Sequence, residues 1–137
     1  MPTRQYIHRL QERLILAEMW SSLARTVHKN YFRKERYGTM LDVIPVAIAV
    51  FTAQASGRPM SASQLATKLE MPRNTTARRL AALKRMGLVE KHGRAYVVPP
   101  HRMNEPLVLK ELQNLINLMH DASIALEQAA KMEHISA

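Results

Sequence analysis

The chain has no cysteine in its 137 residues, which removes disulfides, thiolate nucleophiles, zinc-cysteine sites and thiol redox sensing together. Aromatics amount to 5% and glycines to four, whereas Leu, Ala, Met, Arg and Gln are plentiful. That vocabulary predicts a mostly α protein. The longest apolar run, Val43 to Phe51, falls well below the roughly 20 residues of a membrane span. The N-terminal "MPTRQYIHRLQERLILAEMW" is broken by charges every few residues, unlike a secretory signal or a transit peptide. A soluble, cytoplasmic protein with no membrane partner is therefore expected. The six histidines, His8, His28, His92, His101, His120 and His134, form no zincin pair or ligand-like cluster. No Gly-rich phosphate loop and no nucleophile elbow occur, so neither a metal, a cofactor nor enzymatic activity is expected.

What is present suits one domain with its own core, since 47% of the residues are hydrophobic. The formal net charge is +9, which fits a polyanionic partner without separating nucleic acid from an acidic membrane or protein. Its distribution is more telling. Residues 58–94 hold nine Lys and Arg against two Glu, whereas residues 95–137 hold three against five carboxylates.

From Arg4 to about Phe32 there is no Gly or Pro, and Ile7, Leu10, Leu14, Ala17, Trp20, Leu23, Ala24, Val27 and Tyr31 recur at helical spacing. A long amphipathic helix is predicted, closed by "RKERYG" with Gly38 as its stop. Thr39 or Asp42 is placed to cap a second helix running to about Ala55. It is apolar nearly all round, as for a buried central helix, and tolerates Pro45 in its first turn. "SGRP" is a turn. Ser61 and Gln64 then form a capping box that starts a short helix with Leu65, Ala66 and Leu69 inward. "EMP" breaks that helix, Pro72 opens another that runs to Met86, and Gly87 closes it. Leu88 and Val89, then Tyr96 to Val98, favour strands joined by a tight turn at His92-Gly93. "PPHRMNEP" ends the ribbon. A last helix, about Glu105 to Met132, carries Val108, Leu112, Leu115, Met119, Ala122, Leu126 and Ala129 in a 4,3 alternation.

Two short helices across a tight turn followed by a basic ribbon make a winged helix-turn-helix. The stretch "SASQLATKLEMPRNTTARRLAALKRMGLVEKHGRAYVV" resembles the DNA-binding segment of MarR-type and IclR-type bacterial transcription regulators. "MPRNTTARRLAALKRMGLVEK" is closest to their recognition helix and first wing strand. In MarR-type proteins helices from both chain ends pair as the dimer interface, and this chain has a long helix at each end. IclR-type proteins carry a large effector domain for which this chain has no room. The resemblance departs at Pro72, where MarR-type proteins often have a Ser cap, and at the hairpin, which is short for a MarR-type wing.

With Leu80 at the centre of the buried side, a helical projection turns Thr76, Ala77, Leu83 and Gly87 inward. Asn74, Thr75, Arg78, Ala82 and Arg85 then face outward, with Arg79, Ala81 and Met86 at the flanks, and Lys84 near the core edge as a snorkelling chain. Asn pairs bidentately with adenine and Arg with guanine, while small Ala residues allow close approach to a major groove. Asn74, Thr75, Arg78 and Arg79 are thus expected to discriminate bases. Arg73, Arg85, Lys91 and Arg94 are expected to supply mainly electrostatic affinity.

The expected architecture is one domain: an N-terminal dimerisation helix (1–38), a winged helix-turn-helix (39–100) and a C-terminal dimerisation helix (101–137). Leu10, Leu14, Leu112, Leu115, Met119 and Leu126 are the candidate dimer contacts. Trp20, Tyr31 and Phe32 are read as interior packing in preference to lining a small-molecule effector pocket. The expected function is that of a repressor binding a palindromic operator in duplex DNA as a homodimer. A winged-helix protein-interaction module and a replication or partition initiator are the alternatives.

Overall fold

The computed structural model describes residues 8–136, with side chains through Met132. The predicted first turns from Arg4, with Ile7, lie outside the described residues, as does the side chain of His134. Six helices and one hairpin follow in the order α1 (Leu10–Tyr31), α2 (Tyr37–Ala55), α3 (Ala62–Leu69), α4 (Arg73–Arg85), β1 (Glu90–His92), β2 (Ala95–Val97), α5 (Pro100–Met103) and α6 (Pro106–Ser136). The chain divides into two compact units, one of His28–Leu109 and one of the terminal segments through Val27 and from Lys110. These boundaries fall inside α1 and α6.

The nucleus of His28–Leu109 is α2 packed on α3 and α4, with α3 against α4 and β2 against α2. Met40, Val43, Val46, Ala49, Val50 and Ala53 of α2 are buried with Leu65, Ala66, Leu80, Leu83, Leu88 and Val89. By length and composition α2 would also suit a membrane span. Its six buried residues are instead the spine of this core.

The start of α2 corrects two expectations. Gly38 does not stop a helix but lies in the first turn of α2, whose N-cap is Arg36 with no side-chain bond. Neither Thr39 nor Asp42 caps it. Tyr37 can begin the helix because His28 Nε2 bonds the Glu35 carbonyl at 2.7 Å, and the His28 and Tyr37 rings meet at 5.8 Å, so the turn after α1 is tied back onto that helix. Pro45 lies inside the helix rather than in its first turn, so the Leu41 carbonyl lacks its usual amide partner. Nor is α2 buried all round: Tyr37, Leu41, Ile48 and Phe51 are exposed. Its C-terminus closes at Gly57, φ 81°, with the Arg58 amide donating to the Ala53 carbonyl.

In the terminal segments, α1 carries no fully buried residue. Trp20 is 65% exposed, so interior packing does not describe it, whereas Phe32 is 4% exposed and Tyr31 intermediate. Along α6 only Val108 and Ala129 of the predicted stripe are buried. Of the expected dimer contacts, Leu14, Leu112 and Met119 are exposed and Leu10, Leu115 and Leu126 half-buried. "PPHRMNEP" does end the ribbon, but its Pro100–Met103 portion forms the one-turn helix α5.

Candidate nucleic-acid interface

Local chemistry sets α3. Ser61 Oγ accepts from the Gln64 amide at 3.3 Å and Gln64 Oε1 accepts from the Ser61 amide at 2.9 Å, closing the capping box. The helix ends where Glu70 takes a left-handed conformation, φ 52°, and the Met71 amide donates back to the Ala66 carbonyl. Pro72 then stands as N-cap of α4 without a side-chain bond. The amide and hydroxyl of buried Thr76 both donate to the Pro72 carbonyl, at 3.0 and 3.1 Å. At the far end Gly87, φ 76°, lets the Leu88 amide reach the Leu83 carbonyl and swing Leu88 and Val89 into the core.

Because α4 packs against both α2 and α3, its covered side is a wide arc centred off Leu80. Thr76, Leu80 and Leu83 are buried, and Thr75, Arg79, Ala82 and Met86 are half-buried. The exposed arc is Arg73, Asn74, Ala77, Arg78, Ala81, Lys84 and Arg85. Relative to the projection from Leu80, Ala77 therefore turns out to solvent and Ala82 turns in. Lys84 is exposed and belongs to this arc, at the margin nearest Leu80. Arg79 is held back, its Nη1 lying 3.5 Å from the Met71 Sδ across the turn. The arc presents four cations, one amide and two methyl groups, with no carboxylate.

The ribbon lies beside this helix in sequence and is rooted in the same unit. Glu90 pairs with Val97, Lys91 with Tyr96 and His92 with Ala95. The turn is Gly93-Arg94, one residue later than expected, and Gly93 at φ 63° occupies the first central position of a two-residue hairpin. β1 accordingly begins at Glu90, and Leu88 and Val89 serve the core. Lys91 Nζ sits 5.8 Å from the centre of the Tyr96 ring, and His92 Nε2 lies 2.8 Å from Glu90 Oε1. Lys91 and Arg94 are exposed. Among the described residues none of Arg73, Arg78, Lys84, Arg85, Lys91 and Arg94 is engaged in an ion pair.

Two long-range ties, invisible to local pattern, fix the ribbon. Ser61 bridges Ala95, and the Tyr96 amide donates to the Met60 carbonyl at 2.9 Å, adding a third short strand position beside β2. Gln54 of α2 grips the Val98 backbone with both ends of its amide, accepting at 2.6 Å and donating at 3.1 Å. Lys84 was the cation of the exposed arc that sequence reasoning set aside. Its signal was the spacing Ala77, Ala81, Lys84, which lies one step around from Asn74, Arg78, Ala81, Arg85.

Comparison with known families agrees with this geometry, since residues 43–92 match the model of a helix-turn-helix domain. That match and the β1–β2 hairpin together are consistent with a winged helix-turn-helix fold. The match begins in α2 and ends in β1, so it takes in both helices of the motif, the turn between them and the first wing strand. No curated protein and no solved structure matches the chain. A helix-turn-helix domain points to a DNA-binding regulator and to DNA as a partner.

Proposed function

We propose that the protein is a cytoplasmic bacterial repressor of MarR-like arrangement that binds a palindromic operator as a homodimer and catalyses no reaction. The observation that carries this reading is the carboxylate-free arc of α4 beside the exposed Lys91 and Arg94 of the wing. Asn74 and Arg78, fully outward, discriminate bases, with Ala77 and Ala81 allowing close approach to the groove. Arg73, Lys84, Arg85, Lys91 and Arg94 neutralise phosphates, and Thr75 and Arg79 act from the edge of the contact. The terminal helices support the dimer through Leu10, Leu14, Leu112, Leu115, Met119 and Leu126. A dimer bound across two half-sites represses by excluding other proteins from the duplex.

Selection of bound duplexes from a random pool tests this, followed by titration of the recovered site. Arg78→Ala should relax base preference and weaken the selected site by about 1–3 kcal/mol. Lys91→Ala should weaken all duplexes alike and reduce the salt slope by about one. Unchanged binding by both variants would sink the assignment, and an absence of duplex binding would favour a protein-interaction module.

A further inference from the structure

Among the cations of α4, Arg79 alone is half-buried, and the group that draws it from the exposed arc is a thioether. Its Nη1 lies 3.5 Å from the Met71 Sδ, in the turn between α3 and α4. A thioether sulfur is a weak acceptor, so it parks the guanidinium without holding it. Met71 is half-buried and forms part of the wall of an open cleft with Ser63, Thr67, Glu70 and Arg73, so a small solute reaches it from solvent. With no cysteine in the chain, methionine is the side chain that a mild oxidant converts first. We propose that Met71 is a redox-modification site whose oxidation by a peroxide lowers the affinity of α4 for DNA, an inference that rests on the DNA-binding reading.

In the reaction the thioether sulfur attacks the terminal oxygen of a hydroperoxide. An S–O bond forms as the O–O bond breaks, sulfur gives up two electrons, and the peroxide leaves as water or an alcohol. The sulfoxide oxygen carries a partial negative charge and accepts strongly, so its bond to a guanidinium is charge-assisted. With Nη1 already 3.5 Å from the sulfur, an oxygen placed on that sulfur comes within hydrogen-bond reach of Arg79. Arg79 is then held at the turn, and the edge contact it makes with the duplex has to compete with that bond. Met40, wholly buried, is shielded from the same oxidant, whereas Met119 and Met132 of α6 are exposed and serve as internal controls.

Titration of the selected duplex with protein treated with hydrogen peroxide tests this, with peptide mass spectrometry locating each added oxygen. The duplex should bind about tenfold more weakly once Met71 is oxidised, and the two methionine sulfoxide reductases, one for each epimer, should restore it. Met71→Leu keeps the apolar volume and removes the sulfur, so its affinity should not respond to the same treatment while Met119 and Met132 still oxidise. Arg79→Ala should bind more weakly from the start and lose nothing further when Met71 is oxidised. Unchanged affinity after Met71 has reacted overturns the inference and leaves the DNA-binding reading standing, and so does a Met71 that stays unreacted when Met119 and Met132 have taken up oxygen. An equal loss in Met71→Leu, which places the effect at another methionine, or a further loss in Arg79→Ala, which makes it one of packing, also overturns it. Untreated protein that binds no duplex overturns both.

Discussion

Glu70 is the one residue inside the helix-turn-helix that takes a left-handed backbone without being glycine, at φ 52°. That conformation costs an ordinary L-residue about 1–2 kcal/mol, and it is needed here so that the Met71 amide can reach Ala66. Glu70→Gly should therefore stabilise the protein by about 0.5–1 kcal/mol, after glycine's own entropy is set against the relief. Denaturant unfolding measures it, and no gain would mean that the turn is not strained. The turn itself was legible, because "EMP" breaks a helix by local sterics alone. The left-handed residue was not, since no glycine marks it and its geometry is set by where α4 must start. Arg79 shows the same divide: its charge is evident from sequence, but its retreat toward Met71 depends on a side chain eight positions away.

At the scale of elements, the capping box, the Pro72 start and the Gly87 stop were all readable, because each involves partners within about five residues. The start of α2 was misread for a corresponding reason. Thr39 and Asp42 have the right chemistry for a cap, but the His28 contacts to Glu35 and Tyr37 begin the helix earlier. The Gln54 grip on Val98 spans 44 positions and joins α2 to the end of the ribbon. Gln54→Ala leaves a half-buried amide and carbonyl without these partners, which should cost about 2 kcal/mol. Hydrogen exchange at the Val98 amide should accelerate at least tenfold, and unaltered protection would show that the ribbon is held by the Met60 and Ser61 contacts alone.

For the whole molecule, net charge is segregated. All of the net +9 resides in His28–Leu109, and the terminal segments balance to zero. In the proposed dimer each copy brings one cationic DNA-reading unit. Two half-sites should then lie about 10–10.5 base pairs apart, or a multiple of that, so that both recognition helices meet one face of the duplex. Inserting five base pairs between the selected half-sites should weaken binding at least tenfold in a titration. Equal affinity for the two spacings would mean that the units bind independently.

The sequence by itself determined the order of elements, the helix-turn-helix, the ribbon and the basic bias, because caps, breakers, periodicity and charge act over a few residues. It also showed that α2 and α4 each have apolar residues to bury. Which side they bury was decided only by the tertiary structure. Periodicity defines stripes but not the neighbours that cover them: α4 sits between two helices, which turns Ala77 out and Ala82 in. On α2, with two apolar faces available, α3 and α4 cover one and leave most of the row from Tyr37 to Ala55 exposed.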